Sequence, residues 1–157
     1  MEIMETLNQN WQNVSEIELI YKTKVKNSER PQIKSSKDAY KLVLSAWDHN
    51  KIEFFEQFKV LLLNQAHKAL GIYEISSGGI AGTVVDIRLI FSSALKANAT
   101  SLMMIHNHPS GNLTASEADK QITRKVKEAG RLLDITLLDS LIITTESYYS
   151  FADEGAL

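Results

Sequence analysis

At 157 residues the chain has the length of one domain, and a chain of this size hides roughly 68–70% of its unfolded surface. Lys and Arg number 17 against 19 Asp and Glu, a formal charge of −2, which excludes a polybasic nucleic-acid tail and a highly charged disordered chain. Without cysteine there are no disulfides, cysteine-type zinc ribbons or thiol nucleophiles.

No apolar run approaches the ~18 residues of a membrane span. The first 20 residues are acidic and amphipathic, unlike a signal peptide. The expectation is a cytoplasmic globular domain with no membrane partner.

Residues 1–32 read as an N-terminal extension. Within it Ile17, Leu19, Tyr21, Thr23 and Val25 alternate with charged or exposed positions, which predicts a strand. Lys22, Lys24 and Lys26 then share one face, either protecting a sheet edge or forming a phosphate-binding strip. Ser35 to Asp38 reads as a capping box. Tyr40, Val43, Leu44 and Trp47 continue at helical spacing toward a stop near Asp48-His49-Asn50.

Phe58–Leu63 and Leu70–Ser76 predict a hairpin across the polar turn Asn64–Lys68. Gly78 and Gly79 break it, and Gly82–Val85 is expected to be extended. Asp86 caps a helix that places Ile87, Ile90, Ala94 and Leu95 on one face. Ser101–His106 reads as a strand buried on both sides. The strongest helical spacing runs through Ala118, Ile122, Val126, Ala129 and Leu133, with Gly130 near its end. Three short strands, Ile135–Leu138, Leu141–Thr144 and Tyr148–Phe151, close the chain. This alternation predicts an α/β fold, a mixed β-sheet flanked by helices on both faces.

The chemistry concentrates around His106 and His108. Two apart at a strand end, they point to the same side, as a tetrahedral zinc site with nitrogen ligands requires. Pro109 holds His108 extended, and Gly111 lets the chain turn away. Asp119 opens the next helix, where the crevice of an open α/β sheet lies beyond its strand ends. Three protein ligands and one open position are the pattern of catalytic zinc.

Each part also has an ordinary reading. A His-x-His pair is commonly a surface or hydrogen-bonded strand-end feature. Ser116-x-x-Asp119 is a capping box in its own right, although a helix N-terminus also presents donors to an anion. Glu53, Glu56 and Glu74 are the upstream candidates for a proton carrier. Glu56 directly precedes the strand beginning at Phe58. His49 and His67 fall in predicted turns and are expected to be exposed.

Glu56-x-Phe58, His106-x-His108-Pro109 and Ser116-x-x-Asp119, in that order, resemble the JAMM metalloprotease motif of JAB1/MPN domains. The HNHPSG form, the later LLDITLLD and the closing SYYSFADEG are closer still to the bacterial RadC proteins. The resemblance runs from about Ile33 to Leu157, so residues 33–157 are expected to form one RadC-like JAB1/MPN domain.

It implies a three-layer, cytidine-deaminase-like architecture and one Zn2+ per chain held by His106, His108 and Asp119, with water as the fourth ligand. Glu56 would move the proton and Ser116 would donate to the oxyanion. The implied activity is that of a zinc metallopeptidase or isopeptidase acting on an unidentified protein or peptide.

Two departures stand out. RadC proteins typically read Leu-Asp-His where this chain has Leu138-Asp139-Ser140. Longer RadC proteins also carry an N-terminal helix–hairpin–helix region associated with DNA binding, which is not expected within the first 32 residues. The family's historical label of DNA repair is correspondingly weakened.

Two other readings compete. Lys120, Arg124, Lys127 and Arg131 fall at i, i+4, i+7 and i+11, a basic stripe for a weak DNA contact, or an ordinary solvated helix face. A non-catalytic MPN-like scaffold is the third reading. Such domains usually lose a motif residue, whereas this chain keeps them all.

Overall fold

The structure is a computed structural model that describes residues 13–18, 20–79 and 82–157. Its frame is a five-stranded mixed sheet. The strands are β1 (Gln57–Leu63), β2 (Ala69–Ser77), β3 (Ser101–Asn107), β4 (Thr136–Ile143) and β5 (Tyr148–Ser150), in spatial order β2-β1-β3-β4-β5. Only β3 and β4 run parallel, because the connection between them is a helix long enough to bring the chain back to the same edge.

The helices cover both faces. Helix α1 (Ser36–Ala46) buries Ala39 and Val43, together with Trp47 just past its end, against Leu61, Leu63, Met103, Ile105, Leu141 and Ile143. On the other face, α2 (Ile87–Lys96) and α3 (Glu117–Leu132) bring Ile90, Phe91, Ala94 and Val126 onto Phe58, Val60, Leu62, Leu102 and Met104. Sandwiched between these layers, β3 is buried at all seven positions. Its near-continuous apolar run is the sequence form that burial on two faces demands.

Each helix start is set by its cap. Ser35 Oγ accepts from Asp38 N at 3.2 Å, but the Asp38 carboxylate accepts from Lys34 N rather than from Ser35, so the expected box is only half formed. Asp86 caps α2 through Arg88 N at 2.9 Å. At α3 the reciprocal box of Ser116 and Asp119 is complete. Helix α1 stops at Ala46, before the predicted Asp48–Asn50 stop, since the chain turns extended at Trp47 to bury its indole.

Two other expectations fail. Residues 17–26 form no strand among those described (Leu19 lies outside them), because the alternating apolar set finds no face to cover and Ile17 is 84% exposed. Beyond them come a 3-10 turn at Asn27–Glu29 and one bridge, Gln32 to Lys68. The segment is instead tied to β2 by side chains, Tyr21 Oη donating to Leu70 O and Arg30 to Ala69 O and Leu70 O. Gly82–Val85 takes no regular structure.

The two strands predicted over 135–144 are one. Leu102 faces Leu137 but Met103 faces Asp139, so a bulge takes up Leu138. The extra residue moves odd-numbered side chains from one sheet face to the other. Leu137 accordingly joins the α2–α3 core, while Leu141 and Ile143 join the α1 core.

Candidate metal centre

The carboxyl end of β3, the approach to β1 and the start of α3 meet on the α2–α3 side of the sheet. His106 lies next to last in β3, with 2% of its surface exposed. Its ring stacks on Phe58, which faces it across the β1–β3 ladder, with centroids 5.9 Å apart. Strand alternation then brings His108 to the same side.

His108 N donates to Ile143 O, and the turn beyond closes through Gly111 N to His108 O. Gly111 has φ 81°, a conformation glycine adopts without strain. His108 Nδ1 lies 2.6 Å from Asn112 O. A carbonyl only accepts, so Nδ1 carries the hydrogen and, in the neutral ring, the Nε2 lone pair is free to point inward.

Asp119 closes the group from the first turn of α3. Its Oδ1 lies 3.2 Å from His106 Nε2 and its Oδ2 3.5 Å from His108 Nε2, while the two Nε2 atoms are 3.1 Å apart. Glu56 Oε1 stands farther off, 3.8 Å from His106 Nε2. Glu56 is fixed through its backbone, which exchanges hydrogen bonds with Gly78 and Gly79.

The local electrostatics follow from this crowding. Burial raises the Glu56 pKa above the ordinary carboxylate value against the opposing pull of His106 and His108. Burial alone would raise Asp119 too, but the hydrogen bonds from His106 and His108 outweigh it and hold that carboxyl well below its usual range. The hydrogen bond to Asp119 raises His108.

Glu56, His106, His108 and Asp119 each offer one ligand atom, all within 4.8 Å of one another, a donor set able to hold a metal ion. Ligands at ~2.0–2.1 Å around a tetrahedral ion are about 3.3 Å apart. The distances among His106, His108 and Asp119 match that spacing, and Glu56 lies outside it. A cleft of about 290 Å³ opens beside the group, lined by Glu56, His108, Ser116 and Asp119 with Thr83 and Asn112.

The family comparison agrees with this architecture: the RadC-like JAB domain matches residues 33–156. The chain belongs to the RadC family. A UPF0758 protein of Flavobacterium johnsoniae is 50% identical over 127 residues, covering 79% of this chain and 53% of the relative. One from Porphyromonas gingivalis is 45% identical over 103 residues, covering 65% and 45% respectively. Another, from Alkaliphilus metalliredigens, is 35% identical over 126 residues, covering 80% and 53%. The chain therefore spans about half the length of these relatives.

All five site residues expected from the sequence converge in this RadC-like domain. Of the other acids considered, Glu53 bonds Thr145 and Glu74 accepts from Gln57, so neither belongs to the donor set. His49 and His67 are exposed. Ser140, where the resemblance to RadC proteins implies histidine, pairs with Met104 and is buried on the His106 side of the sheet. The donor set forms without any side chain from that position.

Within the basic stripe, Lys120 pairs with Glu117 at 3.1 Å and Lys127 Nζ donates to Leu157 O. Two of its four cations are thus engaged within the fold. No helix among the described residues is long and apolar enough to cross a membrane.

Asn107 is the functional-site neighbour that motif reading passes over. It is fully buried, and its amide bonds Gln57 N, Ile52 O and Phe55 O. The available signal is a polar residue between two histidines, which alternation turns toward the opposite, core side.

Proposed function

We propose that this RadC-like domain is a zinc-dependent hydrolase of the JAMM type, cleaving a peptide or isopeptide bond. The observation that carries this reading is the triangle of His106, His108 and Asp119 donor atoms at zinc-ligand spacing, with the Glu56 carboxylate just outside it. Two imidazoles and one carboxylate are a donor set that catalytic zinc uses, and zinc bound there would polarise the scissile carbonyl and acidify water.

Glu56 is the proton carrier. It takes a proton as water oxygen adds to the carbonyl carbon and delivers it to nitrogen as the C–N bond breaks. The Ser116 hydroxyl, at the rim of the same cleft, donates to the developing oxyanion. His108 is oriented by its Nδ1 bond to Asn112 O, and the His106 ring lies parallel to that of Phe58.

The test is zinc per chain by elemental mass spectrometry on untagged protein, beside the His106→Ala/His108→Ala variant, followed by fluorogenic peptide and isopeptide libraries. About one zinc in wild type, none in the variant, and hydrolysis by wild type alone are expected. No zinc in either protein after zinc is added back would overturn the reading. Salt-dependent DNA retardation by both proteins, without hydrolysis, would favour a DNA-associated module instead.

A further inference from the structure

We propose that Asn107 is a positioning residue that holds Glu56 at its distance from the metal ligands, an inference that rests on the reading of Glu56 as proton carrier. The β1–β3 ladder ends at the pair Phe58–His106. One residue farther out, where backbone pairing would continue, the side chain of Asn107 takes its place. Its Oδ1 accepts from Gln57 N at 2.7 Å, and its Nδ2 donates to Ile52 O at 2.7 Å and Phe55 O at 3.0 Å.

These three backbone groups bracket Glu56 on both sides, and Asn107 has no exposed surface. A primary amide is the side chain that supplies one acceptor and two donors together. Alanine supplies none, and an ionised aspartate only acceptors.

The placement follows from strand alternation. His106 and His108 face the cleft, while Asn107 between them faces the loop that leads into β1. Glu56 in turn shares its face with Phe58, the side on which His106 lies, while Gln57 turns its backbone N–H to Asn107. One three-residue strand end therefore sets the imidazoles on one side and the proton carrier's backbone on the other. On the side away from β3, Glu56 is held by Gly78 and Gly79. Together with the β1–β3 ladder, Asn107 ties the position of Glu56 to the strand bearing the ligands.

The experiment compares wild type, Asn107→Ala, Asn107→Asp, Glu56→Gln and the Asn107→Ala/Glu56→Gln double variant. Zinc affinity is read by competition with a chromophoric chelator, and backbone amide exchange by mass spectrometry and NMR. Asn107→Ala is expected to bind zinc with less than the ~10-fold loss that removing a partner of a metal ligand costs. Exchange should quicken over residues 52–57, with β1 beyond Lys59 still protected.

Asn107→Asp keeps an acceptor for Gln57 N, so that amide stays protected while the bonds to Ile52 and Phe55 loosen. This variant carries the test if the alanine form does not fold. On any peptide that wild type hydrolyses, Asn107→Ala lowers kcat at unchanged KM and adds nothing to Glu56→Gln, a non-additivity that a general loss of structure would not give.

Unchanged exchange over 52–57, loss of zinc in Asn107→Ala, or additive effects with Glu56→Gln would each overturn the inference. Absence of zinc from wild type would instead overturn the hydrolase reading, leaving the exchange result to decide whether Asn107 sets the loop.

Discussion

Ser116 and Asp119 hold each other at the start of α3: Ser116 Oγ accepts from Asp119 N at 3.1 Å, and Asp119 Oδ2 accepts from Ser116 N at 2.8 Å. The residue pair that begins the helix thereby also aims the second carboxylate oxygen of Asp119 toward His108. Capping and donor-set assembly are one arrangement. The hydroxyl hydrogen of Ser116 is not used by the cap, and Ser116 lines the cleft.

That division separates two effects of substitution. Ser116→Ala loses the cap and is expected to cost about 0.5–2 kcal/mol of stability, whereas Ser116→Gly costs only a few tenths. Both lack the hydroxyl, and loss of one oxyanion donor lowers turnover roughly 10²–10³-fold. Urea unfolding and peptide hydrolysis on the two variants check this. A Ser116→Gly protein hydrolysing at the wild-type rate would remove Ser116 from the chemistry.

Glu56 lies 3.8 Å from His106 Nε2, beyond the spacing of the other three residues. Glu56→Gln should therefore keep about one zinc per chain, and Asp119→Ala should lose it. The glutamine variant cannot accept a proton, so its turnover should fall by at least the ~10²–10⁴-fold that general acid–base catalysis contributes. Elemental analysis beside single-turnover hydrolysis distinguishes the two residues. Loss of zinc from Glu56→Gln would make Glu56 a ligand instead of a proton carrier.

Much of this was legible in the sequence, for identifiable reasons. The hairpin of β1 and β2, the buried β3 and the capped α3 each combine a strong period with a turn or cap signal, and tertiary packing agrees with both. His106, His108 and Asp119 could be brought together from strand alternation and a capping box, whereas Glu56 stood among three candidate acids and took its role, like Ser116, from the resemblance to the JAMM motif. Residues 17–25 carried an equally regular alternation, yet a strand also needs a neighbour with free backbone groups and a face to bury, and neither is encoded locally.

The fusion of β4 depended on a bulge at Leu138 and on a buried carboxylate at Asp139, both set by partners distant in sequence. Asn107 escaped notice for the same reason. Its meaning lies in backbone groups at least 50 residues away.

Asp139 yields a prediction about acid and stability. Burial raises its pKa, opposed by hydrogen bonds from Ser150, Ala152 N and Ser140 N. A carboxyl whose folded pKa exceeds its unfolded value of about 3.9 binds its proton more tightly in the native state. Its contribution to stability is full below the unfolded pKa and is lost as pH rises through the folded one. Asp139→Asn keeps a side chain able to accept from both backbone amides and removes the titration. Urea midpoints measured between about pH 4 and 7 should show wild type losing stability relative to the variant as pH rises. A constant difference across that range would mean the two states share one pKa.

At Gly130 two effects oppose each other. The residue lies inside the final turn of α3, where alanine is intrinsically about 1 kcal/mol better than glycine. A Cβ at this position, however, would stand 2.3 Å from Ile135 O, a backbone atom of the short connection into β4. That connection is itself closed by Ile135 N donating to Gly130 O at 2.8 Å, so the carbonyl cannot retreat without breaking the bond that makes the turn.

Overpacking of a rigid site costs typically ~1–3 kcal/mol, which exceeds the propensity gain over most of that range. Gly130→Ala is expected to lower the urea midpoint while leaving zinc content unchanged, since Asp119 sits at the other end of the helix. An equal or higher midpoint would show that the α3–β4 connection yields at little cost, and that the close approach at Gly130 is not what ties the helix to the sheet.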